Sequence, residues 1–142
     1  MNSNDLKIAI VGATGAAGGT ALELLLERQH PARNITALAS ARSAGKNLPY
    51  GDTELTVFEA TPEAFDGVDV ALFAAGGTVS KRLAHEAVER GVFVIDKGSI
   101  FRMDPTIPLV VPEVNGDDIE WHPGIVSTPN CTTTPMVMAL DA

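Results

Sequence analysis

The sequence is poor in the features of disulfide-bonded, membrane-spanning and nucleic-acid-binding proteins. A single cysteine, Cys131, excludes an internal disulfide. No apolar run approaches the ~20 residues of a membrane span, and the start of the chain lacks the basic and apolar segments of a secretion signal. The net charge of −8 gives no electrostatic reason to expect nucleic acid or an anionic membrane as a partner. We therefore expect a cytoplasmic protein with neither partner.

The length and the hydrophobic content are those of one globular domain. Of the 142 residues, 45% are hydrophobic and 20% are charged, as in ordinary soluble domains. A chain of this length buries roughly 70% of its unfolded surface, which is enough for a proper core. The sequence shows no repeats and no low-complexity segment, and we predict one domain over residues 1–142.

The glycine-rich segment KIAIVGATGAAGG joins a predicted strand, Lys7–Val11, to a helical pattern that begins at Thr20. We expect Gly12 to turn with positive φ, Gly15 to let the backbone approach a ligand, and Gly18 to let the helix pack closely on the strand. The helix N-terminus would then suit a pyrophosphate. The GxxGxxG spacing is one residue longer than the usual dinucleotide fingerprint, so a purely structural glycine turn is the alternative.

The segment after the second predicted strand, Ile35–Ala39, bears on the choice of cofactor. NAD-selective folds hold the ribose 2′-hydroxyl with an Asp or Glu roughly 20 residues beyond the glycine turn. The segment SARSAGK, residues 40–46, has no carboxylate but offers an arginine, a lysine and two hydroxyls. These groups suit a 2′-phosphate, which favours NADP over NAD. A solvated basic loop remains the alternative.

The remaining elements alternate between strands and helices. Further strands are predicted around Leu55 and Val57, at Val68–Ala75, at Val92–Ile95 and at Ile125–Val126. A short helix is predicted from Pro62, a longer one ending at Gly91, and an irregular proline-containing crossing after Ser99. This order predicts an α/β fold with a Rossmann-like, doubly wound, mostly parallel sheet and helices on both faces.

Two expectations concern burial. The helix after the glycines has Ala17, Ala21, Leu24 and Leu25 on one face, which we expect to pack on the sheet. The strand Val68–Ala75 is apolar throughout apart from one aspartate, so we expect it to be covered on both faces.

Cys131 lies between the last predicted strand and a helical pattern near the end of the chain. The dipole and free N–H groups of a helix N-terminus favour a thiolate, and Asn130 or a neighbouring threonine would help to hold an oxyanion. A nucleophile and an inert core or loop thiol both remain open. Arg102, shortly after a strand end, would bind phosphate or carboxylate with two N–H groups, or form a surface ion pair.

Six segments resemble the amino-terminal part of aspartate-β-semialdehyde dehydrogenase and follow its order. They are GATGAAG (12–18), SARSAG (40–45), FAAGG (73–77), FRM (101–103), VVPEVN (110–115) and PNCTT (129–133). The resemblance implies an NADP-dependent, phosphorylating aldehyde dehydrogenase. Such an enzyme interconverts 4-phospho-L-aspartate and L-aspartate 4-semialdehyde in lysine, threonine and methionine biosynthesis.

The resemblance also implies roles for single residues. Cys131 would be the nucleophile that forms a thiohemiacetal and then a thioester, Asn130 would position the acyl oxygen, and Arg102 would bind phosphate or the acyl phosphate. The cofactor site would comprise Gly12, Thr14, Gly15, Ala16, Ala17, Ser40, Arg42, Ser43, Gly76 and Gly77. The expected partners are the small-molecule substrate, phosphate and a second copy of the chain, and no metal is expected.

Two departures from the family pattern matter. Lys97 stands where the family usually has an asparagine, and that role is not carried over. The family's general-base histidine, acyl-positioning glutamine, substrate-carboxylate arginine and dimerisation domain follow the last residue of this sequence. We therefore expect the 142-residue chain alone to be inactive.

The missing domain should also expose apolar surface around Ile125, Val126, Met136 and Leu140 and promote self-association. A truncated, non-catalytic NADP-binding module is one alternative. A relative of N-acetyl-glutamyl-phosphate reductase is another, which the SARSAG and Asn-Cys-Thr-Thr segments disfavour.

Overall fold

A computed structural model describes residues 5–142, so residues 1–4 of the predicted domain lie outside the described residues. The strands are β1 (Ile8–Val11), β2 (Ile35–Ala39), β3 (Asn47–Tyr50), β4 (Thr53–Glu59), β5 (Val70–Phe73), β6 (Phe93–Asp96) and β7 (Ile125–Ser127). The α-helices are α1 (Ala16–Glu27), α2 (Gly77–Glu89), α3 (Pro112–Asn115) and α4 (Thr133–Asp141). Short 3₁₀ helices lie at Ala32–Asn34, Ala41–Ser43, Pro62–Phe65 and Gly116–Trp121.

The strands of the described residues form one sheet in the order β3-β4-β2-β1-β5-β6-β7. β1 lies in the middle and pairs in parallel with β2 and β5, and β3 runs antiparallel to β4 at one edge. The predicted α/β fold with a doubly wound, mostly parallel sheet is confirmed. The chain runs from β1 to β2 on one side and later returns to β5 on the other. The crevice at such a reversal is where open α/β sheets bind ligands.

Helices cover both faces of the sheet, as predicted. α1 packs on one face, where the core includes Ile10, Leu22 and Val57. α2 packs on the opposite face, where Phe73 and Leu83 are fully buried. None of the helices between residues 5 and 142 combines the length and apolar character of a membrane span.

The helix after the glycine turn differs from the prediction in its start and in its buried face. α1 begins at Ala16 rather than Thr20, so Gly18 lies inside it and is buried together with Leu22. Ala17 is exposed and Leu24 is 47% exposed, so their predicted burial is wrong. The reason is the contact of Gly18 with the turn, which fixes the rotation of the helix about its axis.

The edge strand β3 is absent from the sequence-based prediction. It contains Pro49 and forms a hairpin with β4, with Tyr50 paired to Thr53 across the turn. Proline is tolerated here because an edge strand leaves one side of its backbone unpaired.

The second wrong expectation concerns the coverage of β5 on both faces. β5 and the neighbouring β6 both alternate between fully and partly buried residues, because a groove beside α1 leaves one face of each strand partly open. Leu24 of α1, Leu72 of β5 and Ile95 of β6 line an open groove there, which we call the open face. Ile125 and Val126 are buried, contrary to prediction, whereas Met136 and Leu140 are 55% and 79% exposed, as expected.

Candidate active site

Two neighbouring clefts open at the carboxyl ends of the parallel strands. The first cleft, about 360 Å³, is lined by Val11, Gly12, Thr14, Gly15, Ala39, Ser40, Ala60, Ala74, Ala75, Val79 and Arg82. The second cleft, about 260 Å³, is lined by Ala17, Ala74, Gly76, Lys97, Gly98, Arg102, Pro129, Asn130 and Cys131. Ala74, directly after β5, belongs to both, so the two clefts adjoin.

The glycine turn between β1 and α1 forms the floor of the first cleft. Gly12 has φ +91°, and a Cβ on it would lie 2.9 Å from the carbonyl carbon of Ala74. A Cβ on Gly18 would overlap the carbonyl group of Gly12. The absence of side chains at these two positions therefore lets the first turn of α1 rest directly on the end of β1.

The N-terminus of α1 can accept an anion. Gly15 is its N-cap, no side chain caps it, and no acidic residue lies in its first turn. The first N–H groups of a helix have no intrahelical partner and carry a partial positive charge. A helix start of this kind, reached over a glycine turn, fits the pyrophosphate of a dinucleotide.

The predicted cofactor residues fall into three groups. Those lining the first cleft are Gly12, Thr14, Gly15 and Ser40. Those lining the second cleft are Ala17 and Gly76. Those lining neither are Ala16, Arg42, Ser43 and Gly77. The structure therefore brings most of the predicted residues to the two clefts, and the glycine-rich segment contributes to both.

Two of the residues that line neither cleft, Arg42 and Ser43, lie in the segment that follows β2. Ser43 is only 8% exposed, and its backbone N–H donates to the carbonyl of Ser40 at 2.8 Å. Arg42 is exposed in the same 3₁₀ turn, beside Ser40. The tip of β2 therefore presents Ser40 to the first cleft and keeps the Arg42 side chain at the solvent side.

Arg82 lines the first cleft and was not singled out from the sequence. It lies one helical turn after Val79 on the same face of α2, and its Nη2 donates to the carbonyl oxygen of Ala60 at 3.3 Å. The available signal was the i, i+3 spacing of Arg82 from Val79, which also lines the cleft. This signal could be used only with the knowledge that the start of α2 faces the glycine turn.

Arg102 is fixed at the second cleft by two backbone carbonyls. Its Nε donates to Thr128 O at 2.9 Å, and its Nη2 donates to Lys97 O at 3.0 Å. Thr128 follows β7 and Lys97 follows β6, so the guanidinium joins the ends of two adjacent strands. Within residues 5–142, the lining of this cleft includes the two cations Arg102 and Lys97 and no carboxylate, which favours an anionic ligand.

Asn130 shapes the turn that carries the nucleophile candidate. Its Oδ1 accepts hydrogen bonds from the N–H and the hydroxyl of Thr132 at 2.9 and 2.8 Å. Because an N–H can only donate, these bonds assign the amide oxygen to the turn and leave the NH₂ group on the other side. The exposed Cys131 Sγ also lies 3.6 Å from this oxygen, within reach of S–H donation.

The turn leads directly into α4. The Asn130 carbonyl oxygen accepts hydrogen bonds from Thr133 N–H at 2.9 Å and Thr134 N–H at 3.1 Å. Cys131 therefore stands at the N-terminal end of a helix, in the second cleft and beside two cations. Reactive cysteines are typically found at helix N-termini and near cationic side chains.

A buried polar cluster lies under the strand ends that hold these groups. Asp96 is fully buried and its Oδ1 accepts a hydrogen bond from Ser80 Oγ at 2.5 Å. Asp96 Oδ2 and Ser127 Oγ have no partner among the described residues, and these two residues are paired across β6 and β7. The Asp96 carbonyl accepts from Thr128 N–H at 2.9 Å, which links the cluster to the carbonyl that holds Arg102.

The comparisons with known proteins identify the family of the chain. Residues 7–122 match the family model described as "Semialdehyde dehydrogenase, NAD binding domain". The chain belongs to the semialdehyde dehydrogenase family. It is 54% identical over 136 residues to aspartate-semialdehyde dehydrogenase of Bacillus subtilis, and this match covers 96% of the chain and 39% of that relative. For the Aquifex aeolicus enzyme the identity is 48% over 137 residues, covering 94% and 40%.

Solved structures indicate the same family for this chain. Aspartate semialdehyde dehydrogenase II of Vibrio cholerae, complexed with ASA, has a TM-score of 0.88 and 45% identity, covering 94% of this chain and 44% of that one. The Candida albicans enzyme with NADP has a TM-score of 0.78 and 28% identity, covering 96% and 46%. The chain spans about two fifths of the length of the curated relatives named above. The resemblance to aspartate-β-semialdehyde dehydrogenase is confirmed, and the family description supports a nicotinamide cofactor.

Proposed function

We propose that this chain is the NADP-binding, nucleophile-bearing domain of an aspartate-semialdehyde dehydrogenase. The proposed reaction interconverts L-aspartate 4-semialdehyde and 4-phospho-L-aspartate in the biosynthesis of lysine, threonine and methionine. The observation that carries the proposal is the adjacency of the two clefts. A dinucleotide-type glycine turn lines one, a thiol and two cations line the other, and Ala74 belongs to both.

Cys131 would act as the nucleophile. Its Sγ would form a bond to the aldehyde carbon, and the resulting thiohemiacetal would become a thioester on loss of a hydride and a proton. The bound nicotinamide would supply the hydride acceptor. Thiol access is not limiting, because Cys131 is exposed at the N-terminal end of α4.

Asn130 and Arg102 would position the acyl group and the phosphate. The Asn130 NH₂ group is free of the turn and can donate to the acyl oxygen. Arg102 keeps further N–H donors after binding two carbonyls, and phosphate oxygens are suited to them. Phosphate would attack the thioester carbon, release Cys131 as thiolate and form the acyl phosphate.

Selectivity for NADP is proposed from the tip of β2. Residues 40–46 carry no carboxylate that could bind a ribose 2′-hydroxyl, and they include Arg42 and Lys46. A positively charged, carboxylate-free segment at this place suits a 2′-phosphate. The related Candida albicans structure with NADP supports the same choice.

Turnover by residues 5–142 alone is expected to be low. No histidine of the described residues lines either cleft, so the general base that the mechanism needs does not stand beside Cys131. We propose that the domain binds the cofactor and carries the nucleophile over residues 1–142. Residues outside this sequence would complete the catalytic apparatus.

The test combines binding with reduction of NADP⁺. The purified chain is titrated with NADP⁺ and NAD⁺, then mixed with aspartate semialdehyde and phosphate while NADPH absorbance is followed, beside a Cys131→Ala control. We expect tighter binding of NADP⁺ and at most slow NADPH formation, which the control abolishes without loss of binding. NADPH formation that survives in Cys131→Ala would overturn the nucleophile assignment. Binding without any NADPH formation would agree with a cofactor domain whose catalytic apparatus is incomplete in these residues, and absence of binding would overturn the cofactor assignment.

Self-association is proposed as well. The open face, with Leu24, Leu72 and Ile95, joins partly exposed apolar side chains in one groove, and exposed apolar surface promotes association. A second copy of the chain is the proposed partner for this surface.

A further inference from the structure

Arg82 occupies a distinctive place at the edge of the first cleft. Of the described residues that line this cleft, Arg82 alone is charged. Around it, the wall is made of small apolar side chains, including Ala39, Ala60 and Val79. The guanidinium is held by a hydrogen bond from Nη2 to the Ala60 carbonyl oxygen, at 3.3 Å.

No described carboxylate pairs with this guanidinium. Glu86 lies one helical turn beyond Arg82, but it forms its ion pair with Arg90, which also binds Asp66. The contact with Ala60 uses one N–H group. The flat face of the guanidinium and its other donors are therefore available to a ligand.

The fold indicates which part of a dinucleotide would lie there. The pyrophosphate belongs at the glycine turn after β1, and the ribose 2′ position belongs at the end of β2. The next strand outward from β2 is β4, and Ala60 directly follows β4. A base that extends past the ribose in this direction reaches Ala60 and the guanidinium bound to it.

We propose that Arg82 recognises the adenine base of the dinucleotide by stacking its guanidinium plane on the ring. This inference rests on the proposed function, because it takes the first cleft as the dinucleotide site. Small apolar walls suit a flat aromatic base, and arginine stacks on aromatic faces. Arg82 thus contributes to the binding of every adenine nucleotide. Arg42 at the tip of β2 contributes only to the binding of nucleotides with a 2′-phosphate.

The experiment compares two ligands that differ in the 2′-phosphate, 2′,5′-ADP and 5′-AMP. Their dissociation constants are measured by calorimetry with the unmodified 142-residue chain and with Arg82→Met, Arg82→Lys, Arg42→Met and Lys81→Met. Lys81 is the matched control, because it lies exposed on the same helix, carries the same charge and lines neither cleft. Melting temperatures confirm that each variant is folded.

We expect Arg82→Met to weaken both ligands by the same factor, roughly 3- to 30-fold, the range of a cation–π contact. Arg82→Lys should lose most of this affinity, because an ammonium has no planar face to stack. Arg42→Met should weaken 2′,5′-ADP alone, and Lys81→Met should change neither.

Two results would overturn the inference. In one, Arg82→Met leaves both dissociation constants unchanged. In the other, it weakens 2′,5′-ADP alone, which would make Arg82 a phosphate ligand. Failure of the proposed function is distinguishable from both, because the unmodified chain would then bind neither nucleotide.

Discussion

The hydroxyl of Ser80 on α2 donates a hydrogen bond of 2.5 Å to Oδ1 of Asp96, a fully buried carboxylate at the end of β6. This contact joins the helix after β5 to the strand end that leads into Lys97. The Asp96 carbonyl accepts from Thr128 N–H, and the carbonyls of Lys97 and Thr128 hold Arg102. A buried contact outside both clefts therefore helps to position Arg102, one of the two cations of the second cleft.

Replacing Ser80 by alanine tests this contact. Loss of the hydroxyl leaves the buried Asp96 carboxylate without its described partner, and we expect the free energy of unfolding to fall by about 1–3 kcal/mol. Urea denaturation measures the loss. Thr78→Ala serves as the control, because Thr78 is exposed in the first turn of the same helix. Equal effects of the two substitutions would contradict a special role for the buried pair.

Two adjacent glycines of α1 provide a second test. A Cβ on Gly18 would overlap the Gly12 carbonyl, so Gly18→Ala should lower the free energy of unfolding by about 1–3 kcal/mol and weaken NADP⁺ binding. A Cβ on Gly19 would meet nothing within 4 Å, so Gly19→Ala should be neutral or stabilising by up to about 1 kcal/mol. Denaturation curves and NADP⁺ titrations check both variants. A stable, NADP⁺-binding Gly18→Ala chain would refute the proposed packing.

The two cations of the second cleft should bind phosphate. Inorganic phosphate is expected to slow alkylation of Cys131, and Arg102→Met should raise the phosphate concentration needed for half-protection by about tenfold, the effect of losing a charge-assisted contact. Lys97→Met should have a smaller effect, because a lysine binds as a point charge without a two-donor fork.

Lys97→Asn introduces the asparagine that aspartate-β-semialdehyde dehydrogenases usually have at this position. It separates the effect of the lysine charge on phosphate binding from the effect of hydrogen bonding. Phosphate protection that is identical in all these variants would contradict an anion site at this place.

The open face predicts association between copies of the chain. Light scattering should show a mass that rises with protein concentration, and an apolar dye should bind. Leu24→Lys should reduce both, because Leu24 is 47% exposed in this groove. Met103→Lys is the matched control: it makes the same charge change at a residue that is 92% exposed and does not line the groove. A strictly monomeric chain without dye binding would remove the basis for the proposal.

The order of the parallel strands and of the longer helices could be predicted, because most of these strands are apolar runs bounded by glycine, proline or polar residues. The antiparallel edge strand β3 has no such run and was not predicted. The rotation of α1 about its own axis could not be predicted. Ala17 and Leu24 fit a buried helical face equally well by periodicity, but the close approach of Gly18 to Gly12 turns them toward solvent. Contacts with segments outside the helix decide which face of such a helix is buried.

The candidate site shows the same limit. Cys131, Asn130 and Arg102 were found because each residue type suggests chemistry and lies near a predicted strand end. Arg82 was not found, because an arginine on the polar side of a helix has no local feature that separates it from a solvated one. Its place in the first cleft depends on how α2 packs beside the end of β4.

The most direct test of the proposed site is the rate at which iodoacetamide alkylates Cys131, the single cysteine of the chain. Mass spectrometry follows the reaction at neutral pH in the native chain and in the chain unfolded by urea, which provides an internal reference thiol. We predict faster alkylation in the native chain, because Cys131 is exposed at the start of α4 in a cleft lined by two cations, and slower alkylation after addition of NADP⁺ or phosphate. Equal rates in the native and unfolded chains, unchanged by either ligand, would contradict a nucleophile beside a cofactor site.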